Sequence, residues 1–182
     1  MLQLIIKKEA DVVSKDNERK YDKYFLQDII LPDVIAGPES KQRYNDMGRR
    51  RILWLDSSNM AGADFQLNSA WIIHASGEQD SIKGVVVKDV TRGVEHSHDK
   101  NELLSFIGSN PDEPSDLCGE VEFYVEGEKY LLTKSTYIYM PAGLKHSLPY
   151  MIRVDRPIFH FSIIFGSNYH MNLADGTVFK VE

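Results

Sequence analysis

Two histidines and a glutamate lie within seven residues of one another in the segment VEHSHDKNELL, residues 94 to 104. His96 and His98 are two positions apart, and Glu102 follows four positions later. On a β-strand, side chains at i and i+2 point to the same side, so the two imidazoles start about 6.5 Å apart and can converge on one ion. Buried together, these residue types bind divalent transition metals, whereas facing water they are ordinary polar groups. The segment is therefore a candidate for part of a metal site.

A third histidine lies about 40 residues further along, in the segment PAGLKHSLPY. Pro141 ends the preceding apolar run, Gly143 permits a tight turn, and His146 is predicted to begin the next strand. With His146 as a fourth ligand, three neutral imidazoles and one carboxylate suit Fe, Mn, Ni, Co, Cu or Zn, and suit Ca or Mg poorly. Four protein ligands leave one or two positions open on a five- or six-coordinate ion. Open positions are typical of a catalytic or ligand-binding metal rather than a structural one.

Short strands separated by turns must position these residues. Apolar, β-branched and aromatic runs bounded by turn residues predict strands over residues 52–55, 67–74, 85–90, 121–125, 130–132, 136–140 and 158–165. The runs 121–125 and 130–132 predict a hairpin that turns at Gly127. Residues 108–119 are predicted to form a long polar loop, either a solvated lid or a dimer contact. With no long amphipathic helix, the pattern predicts an all-β sandwich or barrel.

Together the two histidine-bearing segments resemble the motifs of the cupin superfamily. The first cupin motif has His-x-His followed by Glu, as at residues 96–102, and the second has Pro-x-Gly-x-x-His, as at residues 141–146. The resemblance covers roughly residues 80 to 165. It implies an antiparallel double-sheet cupin (jelly-roll) barrel. It also implies the metal ligands, which are His96, His98, Glu102 and His146.

Three positions depart from the usual cupin motifs. Val90 stands where the family often has Gly before the first histidine, and Ser135 stands where it often has Gly before the motif proline. Tyr150 stands where it often has Asn after the last histidine. All four ligand positions are intact, so these departures concern turn geometry more than metal binding.

Composition narrows the classes of partner. The chain has 182 residues, enough for one domain, and its net charge of -6 argues against a general nucleic-acid partner. Its one cysteine, Cys118, cannot form an internal disulfide and fits a reducing cytosol. No apolar stretch approaches the roughly 20 residues of a membrane span. The predicted location is cytoplasmic, with no nucleic-acid and no membrane partner.

The first 50 residues lie outside the two motifs. Residues 1–50 are predicted to form an N-terminal arm packed on the barrel, and residues 51–182 the cupin domain, within a single globular unit overall. The arm is irregular but carries the apolar runs LQLII and YFLQDIIL. Because an all-β sandwich exposes sheet edges, the arm is predicted to cover an edge in a homodimer, an assembly that the cupin resemblance also favours.

The predicted function is that of a metal-dependent cupin that acts on a small polar molecule by dioxygenase-, isomerase- or lyase-type chemistry. The ion is a divalent transition metal, either Fe, Mn, Ni or Zn. An oxygenase or isomerase is favoured, and the alternative is a non-catalytic module that binds a metal or a small molecule. The candidate catalytic side chains are His160 as a base and Tyr139 and Tyr150 as hydroxyl groups, and each also fits a structural role in the barrel wall.

Overall fold

The computed structural model of the chain describes residues 20–27, 49–76, 79–80, 85–86, 92–166, 169–173 and 178–181. Its first sheet has five strands in the order β1 (Arg49–Leu55), β2 (Phe65–Ile72), β12 (Ile158–Phe165), β6 (Glu102–Gly108) and β9 (Thr136–Met140). Its second sheet has the path β11 (Tyr150–Val154), β7 (Asp116–Val125), β10 (His146–Ser147), β5 (Glu95–Ser97), β13 (Tyr169–Leu173) and β14 (Val178–Val181). Strand β8 (Glu128–Lys134) pairs with β7, and β3 (Gln79–Asp80) pairs with β4 (Val85–Val86).

Every strand pair in the described residues is antiparallel, as the all-β prediction required. The two large sheets face each other and enclose one apolar core. Alternate residues of β6 and β7 point inward, for example Leu104 and Phe106 from the first sheet and Val121 and Phe123 from the second. The core cluster is Ile72, Leu104, Phe106, Leu117, Val121, Phe123, Met140, Met151 and Ile158. The fold is therefore the predicted double-sheet barrel.

Most predicted strands are present, with shifted ends. The strand predicted over 67–74 ends at Ile72, and the strand predicted over 52–55 begins earlier, at Arg49. The predicted hairpin joins β7 to β8 and turns at Gly127, whose φ of 80° is a conformation that glycine adopts without strain. Of the strand predicted over 85–90, β4 covers residues 85–86, and residues 87–90 lie outside the described part of the chain.

The long polar loop predicted over 108–119 is shorter than expected. Strand β6 continues to Gly108 and β7 already begins at Asp116, so the prediction was wrong for residues 116–119. The reason is packing, since Leu117 and Cys118 are buried at 0% and 2% exposure. An irregularity in the pairing of β7 with β8, between Asp116 and Val121, lets this polar stretch join the sheet.

The predicted N-terminal arm, residues 1–50, lies mostly outside the described residues. Within it, a short 3-10 helix covers Asp22–Tyr24; its last residue, Tyr24, is exposed, as are the flanking Tyr21 and Phe25. No helix in the described part of the chain is long and apolar enough to cross a membrane.

Candidate metal centre

Three buried imidazoles meet at one end of the barrel. His96 in β5 lies directly opposite His146 in β10, and their ring centroids are 4.4 Å apart. His98 directly follows β5, with its ring centroid 5.0 Å from that of His96 and 5.3 Å from that of His146. One nitrogen from each ring lies within 4.8 Å of the others. The second sheet thus brings the three predicted histidines together.

Glu102 approaches this cluster from the opposite sheet. It is the first residue of β6, in the first sheet, and reaches across the barrel. Its Oε2 atom lies 3.1 Å from Nε2 of His146 and 3.4 Å from Nε2 of His98. Besides these two contacts, Oε2 is buried and has no hydrogen-bond partner among the described residues.

These distances match those of donor atoms around one metal ion. Donors about 2.1 Å from an ion lie about 3.0 Å apart at right angles and about 3.4 Å apart at the tetrahedral angle. The two separations between Glu102 and the imidazoles fall in this range. A buried carboxylate oxygen without a hydrogen bond is costly, and a cation is the partner that its charge favours. The Glu102 carboxylate and the Nε2 atoms of His98 and His146 therefore fit a transition metal by distance, and all four side chains suit one by burial and donor chemistry.

Hydrogen bonds between the two motifs fix the geometry of the cluster. Gly143, with φ of 84°, donates its backbone N–H to the carbonyl of His98 at 2.8 Å. The N–H of Ala142 donates to Oδ1 of Asn101 at 3.0 Å. Nδ1 of His146 lies 3.1 Å from the carbonyl of Leu144, a contact that suits a protonated Nδ1 and leaves Nε2 for the cluster. The turn after Pro141 is thus tied to the segment that carries the first three donors.

The surroundings of His96 favour its neutral imidazole. Burial, followed by the proximity of His146 and His98, lowers the pKa of His96 to about 3. His96 is therefore uncharged at neutral pH, and neutral imidazole is the form that binds a metal.

An ion pair on the outer face of the second sheet holds the chain that leads into β5. Arg92 donates from Nε to Oε1 of Glu122 at 2.5 Å and from its terminal nitrogen to Oε2 at 2.6 Å. Nζ of Lys129 also lies 2.6 Å from Oε2, and the Arg92 guanidinium covers the ring of Tyr150 at 4.7 Å. The hydrogen bonds from Arg92 lower the pKa of Glu122 to about 2. We call this group the Glu122 clamp; a glutamate within the apolar run VEFYV was the one signal of it in the sequence.

The three candidate catalytic residues lie away from the cluster. His160 faces the core, where it stacks on Phe106 with ring centroids 4.8 Å apart and its Nδ1 lies 2.7 Å from the carbonyl of Ser105. His160 pairs with Phe106 of β6. Phe106 is four residues, or about 13 Å, along that strand from Glu102. Tyr139 is 58% exposed and alternates with the inward Met140, and Tyr150 lies under the Arg92 guanidinium.

The sequence matches no protein-family model and no curated protein. Similar solved structures include DMSP lyase DddQ from Ruegeria pomeroyi DSS-3 (19% identity, TM-score 0.36), which aligns over 62% of this chain. Oxalate decarboxylase from Bacillus subtilis (14%, 0.42) aligns over 70%, and a cupin protein from Bacteroides fragilis (17%, 0.36) over 63%. The chain spans 44% of the lyase, 28% of the decarboxylase and 76% of the Bacteroides protein.

The chain's own residues identify its fold. Two antiparallel sheets close around one core, and both histidine-bearing motifs lie at one end of that barrel. The second sheet supplies three imidazoles and the first sheet supplies the carboxylate between them. With this barrel and this cluster, the chain is a cupin-fold protein.

Proposed function

We propose that this chain is a metal-dependent cupin that binds a divalent transition metal through His96, His98, Glu102 and His146 and acts on a small polar molecule. One observation carries the proposal. A buried carboxylate oxygen of Glu102 lies within 3.4 Å of two imidazole nitrogens and has no hydrogen-bond partner in the part of the chain that the structure describes. Fe, Mn, Ni and Zn all accept this donor set, which is too rich in nitrogen for Ca or Mg.

When bound, an ion of this class polarises a carbonyl or carboxylate oxygen, or activates dioxygen, at its open positions. On the four described strands around Glu102, no side chain in its own row or the next is a separate proton carrier. On β2, β6, β9 and β12, the side chains that share its inner face in its own row and the next are not titratable; they are Gln66, Asn68, Leu104, Ile138, Met140, Ser162 and Ile164. This supports chemistry centred on the ion, by a dioxygenase, isomerase or lyase route.

The same lack of a nearby titratable side chain on those four strands also supports the second candidate function, a non-catalytic cupin that holds a metal or a small molecule. The two functions differ in turnover. Metal-loaded protein that consumes oxygen or converts a polar substrate is an enzyme. Metal-loaded protein that binds small polar molecules without converting them is a binding module.

Metal content tests the site itself. Full-length protein purified without chelator is expected to hold about one transition-metal ion per chain, measured by mass spectrometry of the metals. Glu102→Gln keeps the size of the side chain and removes its charge, so it is expected to lose most of the metal while circular dichroism stays unchanged. The control is Glu95→Gln, since the Glu95 Oε1 accepts a hydrogen bond from Gly127 and takes no part in the cluster. Equal metal content in the two variants excludes Glu102 as a ligand.

We also propose that the chain forms a homodimer in the cytoplasm. The outer face of the first sheet supports the dimer, because large exposed apolar side chains are typical of protein–protein interfaces. The exposed fractions on this face are 38% for Trp71, 47% for Phe165, 58% for Tyr139 and 63% for Tyr137. The single cysteine supports the reducing compartment. Light scattering of the full-length chain tests the dimer, and a monomer at high micromolar concentration contradicts it.

A further inference from the structure

Among the described residues, two amide side chains inside the barrel have buried oxygen atoms without hydrogen bonds. They are Gln66 Oε1 and Asn68 Oδ1, both on β2. Gln66 is 3% exposed. Being two positions apart on one strand, the two amides point to the same side. That side is the interior, because Ala70 and Ile72, which follow in the same alternation, are buried.

The amides share this interior with the proposed metal ligand of the first sheet. Gln66 pairs with Ile164, which in turn pairs with Glu102, so the three form one row across β2, β12 and β6. Asn68 lies in the next row, between Trp54 of β1 and Ser162 of β12. Neighbouring strands are about 4.8 Å apart, so the Cα atoms of Gln66 and Glu102 are separated by about 10 Å.

Amides with a structural role in this protein have hydrogen-bonded oxygens. Oδ1 of Asn59 accepts from the N–H of Asp56, and Oδ1 of Asn101 accepts from the N–H of Ala142. The amides of Gln66 and Asn68 differ, because their oxygens are withdrawn from water and unmatched by protein donors. A buried polar atom of this kind needs a partner from outside the protein, either an ordered water or a ligand.

The charges around the amides restrict that ligand. Across β1, β2, β12, β6 and β9, Glu102 alone carries a charge among the members of the two rows, which are Gln66, Ile164, Glu102 and Met140, and Trp54, Asn68, Ser162, Leu104 and Ile138. No cation in these two described rows offers a site for a second anionic group, which favours a neutral group in the part of the ligand that meets the amides. A hydroxyl group can donate to an amide oxygen and accept from an amide nitrogen, so it suits both ends of each side chain.

We propose that Gln66 and Asn68, with Ser162 between them and β6, bind the hydroxyl groups of a short polyhydroxy monocarboxylate whose carboxylate end meets the metal. This inference rests on the proposed metal site and names the class of molecule bound there. The carboxylate occupies the open positions of the ion, and the hydroxylated tail extends along the row toward β2. The amides select for ligands with distal hydroxyl groups, because an analogue without those hydroxyls leaves the amides buried and unpaired.

The test compares two six-carbon acids, gluconate and 2-hydroxyhexanoate, by calorimetric titration of the full-length protein loaded with Mn(II). Both acids have a carboxylate and an adjacent hydroxyl for the ion, and they differ in the four distal hydroxyls of gluconate. Wild type is expected to bind gluconate at least about tenfold more tightly, the equivalent of one or two buried hydrogen bonds. In Gln66→Leu/Asn68→Leu the preference is expected to fall to about twofold or less, with Mn(II) affinity unchanged.

Ile164→Val is the matched control, since it alters the same row without changing a polar group and is expected to keep the preference for gluconate. If the double variant does not fold, Gln66→Met and Asn68→Ala remove the amides singly and carry the same comparison. Equal binding of both acids by Mn(II)-loaded wild type, as water-filled amides would give, overturns the inference. So does a preference that survives in the amide variants. Failure of wild type to bind Mn(II), Fe(II), Ni(II) or Zn(II) overturns the proposed function instead.

Discussion

The Glu122 clamp gives a stability prediction that can be worked from its contacts. Glu122 is fully buried. Its carboxylate accepts two hydrogen bonds from Arg92, at 2.5 and 2.6 Å, and forms an ion pair with Nζ of Lys129 at 2.6 Å. Glu122→Gln keeps one acceptor and removes the charge. Hydrogen bonds to charged groups contribute about 1.5–3 kcal/mol each. However, the side chains of Arg92 and Lys129 are 50% and 51% exposed and regain water when the charge is lost. We therefore expect a net loss of about 2 kcal/mol.

Acid should remove this difference in stability between wild type and Glu122→Gln. The pKa of Glu122 is lowered from 4.5 to about 2 in the folded chain, so its contribution is present above pH 4.5 and is lost as the pH falls toward 2. Scanning calorimetry at pH 7 should place Tm of Glu122→Gln roughly 4–8 °C below wild type, and the gap should close by about pH 2. Glu120→Gln, on the same strand, is the control and should change Tm little. No gap at pH 7, or an undiminished gap near pH 2, refutes the clamp.

Four further changes are expected to have measurable effects. Gly143→Ala should cost about 1 kcal/mol in urea denaturation, because φ is 84° but a Cβ there meets nothing within 4 Å. Gly108→Ala should cost at least about 3 kcal/mol, because its Cβ would collide with the carbonyl of Asp116; equal costs for the two variants contradict this distinction. Gln66→Leu should raise the free energy of unfolding by about 1 kcal/mol in metal-free protein, since it removes a buried unpaired amide, and a loss of stability points to an unrecognised partner. Deletion of residues 1–31 should convert a dimer into a monomer or an aggregate in light scattering, and an unchanged size and Tm contradict the edge-covering arm.

The all-β class and the convergence of four side chains were predictable from the sequence, because strand alternation and turn residues act locally. His96, His98 and His146 meet as the spacing predicted, since Gly143 allows the turn that aims the third histidine. The origin of Glu102 in the opposite sheet was not predictable, because three residues of turn can lead to either sheet.

Features that depend on distant pairing were missed. Arg92 and Glu122 are 30 residues apart, and only the second sheet makes them neighbours. Gln66 was left outside the predicted strand 67–74, because a polar residue at a strand end is usually solvated; its burial depends on how the barrel closes. Leu117 lies in β7 although nearby prolines and acidic residues indicated a loop. The free energy gained by burying this leucine exceeds the weak local preference for a loop.

Anomalous diffraction tests the metal centre most directly. Crystals of the full-length protein loaded with Mn(II), Fe(II), Ni(II) or Zn(II) are measured above and below the absorption edge of the metal. The structure predicts one strong anomalous peak per chain, about 2.0–2.2 Å from a nitrogen of each of His96, His98 and His146 and from Oε2 of Glu102. A crystal without a peak between these four side chains, or with its strong peaks only at the protein surface, contradicts the metal centre.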